Sequence, residues 1–366
     1  MSQQVSGVYC EFTLALNNRT GKFFFCQDMI HSSSDLVRAC YFWRWRSQRV
    51  PTGIFARILG RMARIEVNLR VEKSVITRFI PFIERELPTV FTDPRECIMY
   101  RLKSSDIVLC HDMGPITHPE LYADGVQAAY RSAFETICAA KPSMMFVSEA
   151  SRSAFIDLYG SDFPALKVVH IPLRAGIEHG DKEPVAGVPD NFFLTVGSLG
   201  TRKNQLGSIR GFGASQLSKQ GYAYIICGAP EPGEDAVHRA AEMTPGVLLP
   251  GYVNEKQLRW LYEQARGFVL VSRLEGFGLP AAEAIAYGQV PILSPGGALQ
   301  ETAGDGAIYV APDNIDGIAA AMKCVADMEP HEREGRLERL RENVSRFTVD
   351  AATAAWRQTI LTAISR

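Results

Sequence analysis

The sequence predicts an α/β protein made of two domains, each built on a parallel sheet. Its 366 residues correspond to about two domains of ordinary size. Short apolar runs alternate with helical segments, which is typical of βαβ units. Most of these runs contain almost no polar residue, as expected for strands that are covered on both faces. Hydrophobic residues make up 46% of the chain and charged residues 22%, so a folded globular protein is expected.

The second half of the chain shows this alternation most regularly. Apolar runs that end at a glycine or a polar turn predict strands at 192–196, 222–227, 247–249, 267–271, 290–293 and 306–310. Helices are predicted from about residue 205 and at 255–265, 280–287 and 315–326.

The first half is less regular. Strands are predicted at 106–110, 144–147 and 168–171, and helices at 125–139 and 150–159. The pattern assigns no order to the apolar segments of residues 1–105. Residues 178–190 are rich in Gly, Pro and charge, which is typical of a linker between domains. We therefore predict an N-terminal domain at 1–180, a C-terminal domain at 181–345 and a final helix within 346–366.

Composition excludes several classes of protein. The formal net charge is −1, whereas a general nucleic-acid coat protein would be far more basic, so no nucleic-acid partner is expected. No apolar stretch approaches the length of a membrane span, and the N-terminus does not resemble a signal peptide. The eight cysteines are scattered without metal-ligand spacing, which favours free thiols in a reducing cytoplasm.

The segment from Glu275 to Glu283, EGFGLPAAE, is the strongest chemical motif. It follows an apolar strand directly, and Gly276 and Gly278 would let the backbone approach a ligand closely. Pro280 stands where a helix would begin, so free amides at that helix N-terminus would suit a diphosphate. The two carboxylates could accept hydrogen bonds from the hydroxyls of a sugar or ribose. The alternative is a tight strand-to-helix turn with two ordinary glutamates.

Arg202 and Lys203 form a second motif, just after the predicted strand 192–196. The carboxyl ends of strands are where open α/β sheets bind ligands. Two adjacent cations suit a pyrophosphate leaving group, whose charge grows as the bond to it breaks. The alternative is a solvated basic turn.

Residues 275–283 resemble the E-x7-E motif of the retaining family 4 glycosyltransferases, which have the GT-B fold. Further segments resemble the same family in the expected order, and together they cover roughly residues 105–366: 111–113, 147–151, 196–204, 251–253 and 347–356. The resemblance implies two Rossmann-like domains that face each other across a cleft, with the C-terminal helix crossing back to the N-terminal domain.

The resemblance also implies roles for individual residues. Arg202 and Lys203 would hold the diphosphate, Glu275 and His111 would lie at the donor sugar, and Glu283 would bind the ribose. These first four are the predicted catalytic residues. The predicted donor-binding residues are Gly197, Ser198, Tyr252, Val253, Gly276, Phe277, Gly278, Leu279 and Glu283. The predicted acceptor-side residues are Gly53, His118 and Glu149.

Some of these assignments have structural alternatives. His111 could be a hydrogen-bonded, half-buried histidine, and His118 could be structural. Glu149 could belong to a helix N-terminus that Ser148 caps. Residues 18–21 are an alternative to the loop at Gly53. Ser198 also departs from the family, because many members carry an arginine immediately after the glycine.

The implied reaction transfers a hexose, with mannose from GDP-mannose as the first candidate, to a hydroxyl acceptor. A saccharide or lipid-linked saccharide of cell-surface polysaccharide or lipopolysaccharide synthesis would accept it. No HxH, HExxH or DxD pattern lies near the motifs, so neither a metal nor another cofactor is expected. The alternatives are a catalytically silent sugar-nucleotide-binding partner subunit and a GT-B epimerase.

Residues 38–73 concentrate positive charge in a chain that is nearly neutral. They contain nine basic residues against two acidic ones, mixed with aromatic and aliphatic side chains. This combination is typical of a segment that lies on an anionic membrane surface, which predicts a peripheral location at the inner face of the cell membrane. The alternative is an ordinary amphipathic helix packed on the N-terminal domain.

Overall fold

The computed structural model describes residues 7–16, 21–173, 179–251 and 253–365. The chain divides into two compact units. Unit 1 comprises Met1–Pro172 and Val349–Arg366, and unit 2 comprises Leu173–Thr348. The boundaries between the units fall after residues 172 and 348, whereas the sequence predicted domain boundaries after residues 180 and 345.

Unit 1 is built on a seven-stranded sheet in the order β3-β2-β1-β4-β5-β6-β7. Every neighbouring pair is parallel except β2 and β3, which form an antiparallel pair at one edge. The strands are β1 (Val8–Glu11), β2 (Val37–Phe42), β3 (Trp45–Ser47), β4 (Thr89–Phe91), β5 (Ile107–Cys110), β6 (Ser143–Phe146) and β7 (Leu166–Val168). The helices are α1 (Gly21–Ser32), α2 (Gly53–Val71), α3 (Gly114–Thr117), α4 (Val126–Ala140) and α5 (Glu149–Tyr159).

Unit 2 is built on a six-stranded, wholly parallel sheet in the order β10-β9-β8-β11-β12-β13. The strands are β8 (Phe192–Val196), β9 (Ala223–Cys227), β10 (Val247–Leu248), β11 (Gly267–Leu270), β12 (Pro291–Leu293) and β13 (Ile308–Tyr309). The helices are α6 (Gln205–Ser215), α7 (Glu234–Met243), α8 (Glu255–Gln264), α9 (Leu279–Ala286), α10 (Gly297–Ala303), α11 (Ile315–Asp327) and α12 (Pro330–Val344).

The strand order of unit 2 is that of a doubly wound Rossmann sheet. The chain starts at β8, winds outwards to β10, and then returns to place β11 on the other side of β8. Such a sheet has a topological switch point between its two central strands, and ligands bind outside the carboxyl ends of the strands there. In unit 2 this point lies between β8 and β11.

The last helix, α13 (Val349–Ile364), belongs to unit 1. Trp356 is fully buried and packs edge-on against Phe25 of α1, with ring centroids 6.3 Å apart. Arg357 donates to both carboxylate oxygens of Asp35 at 2.5 and 2.7 Å. An apolar anchor and a bidentate ion pair therefore attach the end of the chain to the unit that contains its beginning.

Two predicted segments differ in the structure. The strand predicted at 168–171 lies at Leu166–Val168, and its pairing with β6 stops after Val169, shortly before Pro172, which has no N–H to donate. The predicted linker at 178–190 is packed on unit 2 over its described residues 179–190. Asp181 pairs with Lys256 of α8, and Val185 is buried.

Candidate active site

The loops that follow β8 and β11 are tied together at the switch point of unit 2. Asn204 adopts a left-handed conformation (φ 54°), and its side-chain amide donates to the carbonyls of Val271 at 3.1 Å and Pro312 at 2.8 Å. The backbone N–H of Arg273 donates to the carbonyl of Arg202 at 2.9 Å. These bonds fix the backbone on which the predicted cations and Glu275 stand.

Lys203, Arg202 and Glu275 form one charged cluster at this point. The ammonium of Lys203 donates to Oε1 of Glu275 at 2.5 Å, and the guanidinium of Arg202 lies 3.8 Å from Oε2. Ser272 also donates to Oε1, at 2.7 Å. Arg202 has a second carboxylate partner in Glu231, at 3.2 Å. The structure therefore brings together three of the four predicted catalytic residues.

Burial makes the electrostatics of this cluster strong. The side chains of Lys203 and Glu275 are 8% and 6% exposed. Burial alone would raise the pKa of Glu275, but the charges of Lys203 and Arg202 outweigh it and hold that pKa below the ordinary value. Burial lowers the pKa of Lys203, and the adjacent carboxylate opposes that shift. Because its pKa lies below the ordinary value, Glu275 is a carboxylate at neutral pH.

The glycine-containing turn leads directly into the start of α9. Gly278 has φ 94° and precedes the first helical residue, and an added Cβ would lie 2.6 Å from Leu299. Phe277 is buried against Phe347, and its carbonyl accepts a hydrogen bond from the hydroxyl of Thr302 at 2.6 Å. The N–H groups of Ala281 and Ala282 already donate to the carbonyl of Gly278, at 2.8 and 3.2 Å, and Pro280 has no N–H. An anion at this helix N-terminus would therefore be bound mainly by the N–H of Leu279.

Glu283 lies one turn inside α9, as predicted. Its Oε2 accepts a hydrogen bond from the hydroxyl of Tyr262 at 2.9 Å. Tyr262 is buried and stacks on Tyr287, with ring centroids 5.3 Å apart and planes inclined by 11°. The orientation of the Glu283 carboxylate is therefore set by a rigid aromatic pair.

The remaining donor-binding predictions lie in the loops around this cluster. Gly197 directly follows β8, and the stem of Lys203 passes 3.4 Å from where a Cβ of residue 197 would stand. The carbonyl of Ser198 accepts from Gln205 at 2.8 Å. Val253 is half-buried before the N-cap of α8, and Tyr252 lies outside the described residues.

His111 follows β5 in unit 1 and is 3% exposed. Its Nε2 bonds to the carbonyl of Thr92 at 3.0 Å, and Nδ1 has no partner among the described residues. Burial, with the charge of Lys22, lowers the pKa of His111 to about 4, so the ring is neutral at pH 7. Ser151 donates to its backbone carbonyl at 3.4 Å, which joins this segment to the start of α5.

The three acceptor-side predictions are exposed residues of unit 1. Gly53 begins α2 with φ 65°. His118 bonds through Nδ1 to the hydroxyl of Thr117 at 2.9 Å. Glu149 pairs with Arg152 at 2.7 Å in the first turn of α5, whose N-cap is Ser148, as the structural alternative expected. None of these contacts indicates an acceptor.

Comparison with known proteins identifies the family of unit 2. Residues 179–345 match the family described as Glycosyl transferases group 1, and this range contains the charged cluster and α9. The chain carries a glycosyl transferases group 1 domain. The predicted resemblance to glycosyltransferases is thereby confirmed for this domain, and membership of family 4 and the retaining mechanism stay predictions.

Relatives of the chain include several mannosyltransferases. It is 27% identical to O-antigen chain mannosyltransferase B of Escherichia coli, over 63% of this chain and 63% of that protein. It is 24% identical to O-antigen chain mannosyltransferase RfbU of Salmonella typhimurium, over 67% and 64%. The chain therefore spans slightly less than two thirds of the length of these relatives.

Solved structures with the same fold support the predicted fold class. Sucrose-phosphate synthase from Thermosynechococcus elongatus has a TM-score of 0.67 at 16% identity, with 96% of this chain and 97% of that chain covered. An α,α-trehalose-phosphate synthase from Burkholderia vietnamiensis has a TM-score of 0.60 at 13% identity, with 94% and 82% covered. Together with the two Rossmann-like units, these likenesses confirm the GT-B fold.

Four residues of the glycosyl transferases group 1 domain support the predicted site residues but were not among them. They are Ser272 and Glu231, which bond to the charged cluster, Asn204, which joins the loops, and Tyr262, which orients Glu283. Two of them had a signal in the sequence: Ser272 lies three residues before Glu275 in the same loop, and Asn204 directly follows Lys203 in the segment 196–204. Glu231 and Tyr262 reach the site from separate parts of the chain.

The described residues contain no group of three or more His, Cys, Asp or Glu side chains arranged to hold a metal ion. That the reaction needs no metal stays a prediction. Within the same residues, no helix is both long enough and apolar enough to cross a membrane.

Proposed function

We propose that the protein is a retaining glycosyltransferase of family 4 that transfers a hexose from a nucleoside diphosphate sugar to a hydroxyl acceptor. The observation that carries the proposal is the buried cluster of Lys203, Arg202 and Glu275 at the switch point of unit 2, beside the N-terminus of α9. It offers positive charge for a diphosphate and a carboxylate for sugar hydroxyls within one small region.

The cluster is arranged so that the donor can replace an internal ion pair. Without a donor, Glu275 neutralises one of the two cations and Glu231 pairs with Arg202. A diphosphate would take over Lys203 and Arg202, and it would leave Glu275 to accept hydrogen bonds from the sugar. The N–H of Leu279 at the start of α9 would bind the phosphate, and Glu283, held by Tyr262, would bind the ribose.

The proposed transfer proceeds at the front face of the sugar. The bond between the anomeric carbon and the diphosphate oxygen breaks, and the acceptor oxygen bonds to the same face of that carbon. The acceptor proton passes to the departing phosphate oxygen, whose growing negative charge Lys203 and Arg202 stabilise. Because its pKa is about 4, His111 would act as a neutral hydrogen-bonding group towards the sugar rather than as an acid.

Mannose is the sugar that we propose, with GDP as its nucleotide. The relatives above are named mannosyltransferases, and two Xanthomonas relatives are named GDP-mannose:cellobiosyl-diphosphopolyprenol alpha-mannosyltransferase. These names also support a saccharide or lipid-linked acceptor in cell-surface polysaccharide synthesis, and we propose a cytoplasmic location. We propose that the reaction needs no metal or other cofactor.

A thermal-shift screen with GDP-, UDP-, ADP- and dTDP-sugars tests the donor. A specific donor at 100 times its Kd should stabilise the protein by about 2.7 kcal/mol. Transfer to candidate acceptors, with the anomeric configuration of the product read by NMR, then tests the reaction. Lys203→Met should abolish both responses, whereas Lys219→Met, at an exposed lysine of unit 2, should keep both. Donor binding without transfer to any acceptor would instead indicate a silent partner subunit.

A further inference from the structure

Helix α2 presents its large apolar side chains outwards. Its inward face consists mainly of small residues and includes one carboxylate: Ala56, Leu59, Gly60, Ala63 and Glu66. Its outward apolar residues are 41% to 74% exposed: Ile54, Phe55, Ile58, Met62 and Ile65. An ordinary amphipathic helix buries its large apolar residues against the core. Helix α2 does pack on the N-terminal unit, as the alternative of an ordinary amphipathic helix expected, but most of its large apolar residues face outwards.

A row of arginines runs beside the apolar residues. At 100° per residue, Arg57, Arg61 and Arg64 lie on the flank next to the apolar arc, and all three are exposed. Within the described part of the chain, none of the three has an ion-pair partner. Glu66 is the one acidic residue of the helix, and it is buried under Arg44 and Arg70 at 2.8 Å. The outer face of α2 therefore carries positive charge alone.

Neighbouring segments extend the apolar area. Trp45 of β3 is 51% exposed and packs edge-on against Phe55, with ring centroids 5.4 Å apart. After the helix, a short turn exposes Val75, Ile76 and Phe79, the last at 83%. Ten of the fifteen large hydrophobic side chains exposed in the described residues fall between positions 45 and 82. We call Trp45, the outward apolar residues of α2 and its three exposed arginines the α2 surface.

We propose that the α2 surface docks on an anionic lipid bilayer. The outward apolar residues would enter the boundary between headgroups and acyl chains, and the arginines would contact anionic headgroups. Charge complementarity favours this occupant over a second copy of the chain. In a two-fold pairing the same patch meets itself, so the interface would hold the three arginines of each copy and no acidic residue of the α2 surface to neutralise them. The inference does not depend on the proposed reaction.

Co-sedimentation of the full chain with vesicles tests this proposal. We expect binding to vesicles of phosphatidylcholine mixed with phosphatidylglycerol, much weaker binding to phosphatidylcholine alone, and weakening with added salt. Each arginine near an anionic surface is worth about a fivefold change in affinity, so the triple variant should bind roughly 100-fold more weakly. That variant is Arg57→Gln, Arg61→Gln and Arg64→Gln.

Matched variants separate the α2 surface from general effects of charge or hydrophobicity. The apolar triple Phe55→Ser, Ile58→Ser and Met62→Ser should weaken binding to anionic vesicles at least about tenfold. Two control triples at exposed positions elsewhere should bind like the wild type. They are Arg131→Gln, Arg210→Gln and Arg339→Gln, and Leu158→Ser, Met243→Ser and Leu361→Ser.

Two outcomes would overturn the proposal. The first is a vesicle assay in which the wild type does not bind anionic vesicles, or in which the arginine and apolar triples bind them as strongly as the wild type while keeping its circular dichroism spectrum. The other is concentration-dependent self-association in sedimentation that the apolar triple abolishes, because it would show that a second copy covers this surface. Failure of the donor screen leaves the vesicle result unaffected, so the two proposals fail independently.

Discussion

The ion pair between Lys203 and Glu275 allows its structural and functional roles to be separated. Lys203→Met removes the positive charge but keeps most of the stem that fills the space beside Gly197. The variant leaves Glu275 buried, with Arg202 at 3.8 Å and Ser272 at 2.7 Å as its remaining partners. Breaking a buried pair costs about 3–5 kcal/mol. Because two partners remain, we expect a loss near the lower limit, about 3 kcal/mol.

The double variant Lys203→Met with Glu275→Gln should recover part of this stability. The double variant leaves no carboxylate at position 275 without its lysine partner. Its loss of unfolding free energy should therefore be smaller than the sum of the losses of the two single variants, by about 2 kcal/mol. Urea unfolding followed by circular dichroism measures the three variants. Transfer activity should be absent in all of them, because the cation and the carboxylate would each contact the donor. Additive losses of stability, or turnover in the double variant, would refute the reasoning.

The same pair predicts a dependence of stability on pH. The pKa of Glu275 is lower in the folded protein than its ordinary value of 4.5, so the unfolded chain binds the proton more tightly. The ionised carboxylate therefore contributes stability above pH 4.5, and that contribution is lost as the pH falls through the lower, folded value. The difference in unfolding free energy between the wild type and Glu275→Gln should thus be largest near neutral pH. A difference that stays constant down to pH 3 would contradict this assignment.

Three further predictions concern single groups. Gly278→Ala should lower the free energy of unfolding in urea by about 2 kcal/mol or more, because φ is 94° at this position and the new Cβ would lie 2.6 Å from Leu299. The control Gly335→Ala should raise the free energy of unfolding, because Gly335 lies inside α12 with open space around it. Tyr262→Phe should raise the KM for donor about tenfold with little change in kcat, because it removes the hydroxyl that bonds to Glu283 but keeps the stacked ring. An unchanged KM would contradict this positioning role. Between pH 4 and 6.5, His111 is protonated in the unfolded chain but not in the folded protein, because its folded pKa is about 4. The free energy of unfolding should therefore rise with pH across this range. His111→Gln should reduce that rise in urea titrations at several pH values.

The sequence predicted unit 2 well because its strands are short, apolar and separated by glycines. β8, β9 and β11 were predicted to within one residue at each end. The strands of residues 1–105 were not predicted, for physical reasons. β4 has only three residues, and β2 is buried only at its last three positions, which are the positions that pair with the edge strand β3. Neither strand has the uninterrupted apolar run that makes a central parallel strand visible.

The site shows the same division between local and distant information. Glu275, Gly278 and Glu283 lie in one continuous segment, so a single turn with glycines and carboxylates indicated them. The bond from Tyr262 to Glu283, by contrast, joins α8 to α9, and no spacing along the chain encodes it. Partners of this kind follow from the order of strands and helices, which brings separate loops to the switch point.

Helix α2 shows how a correct pattern can leave the orientation of a helix undetermined. Its sequence separates apolar from basic residues by helical period, and this pattern is equally consistent with an apolar face turned to the core or to the outside. What decides the orientation is the partner surface in unit 1, where Trp43 and Arg44 both bond to Glu66 and require that carboxylate to face inwards. Ala63 lies at the centre of the inward face, and at 100° per residue Ile54 and Ile65 lie on the opposite side of the helix. Glu66 lies at the edge of the inward face, so its buried ion pairs and the small residues at the centre of that face together fix which residues of α2 stay exposed.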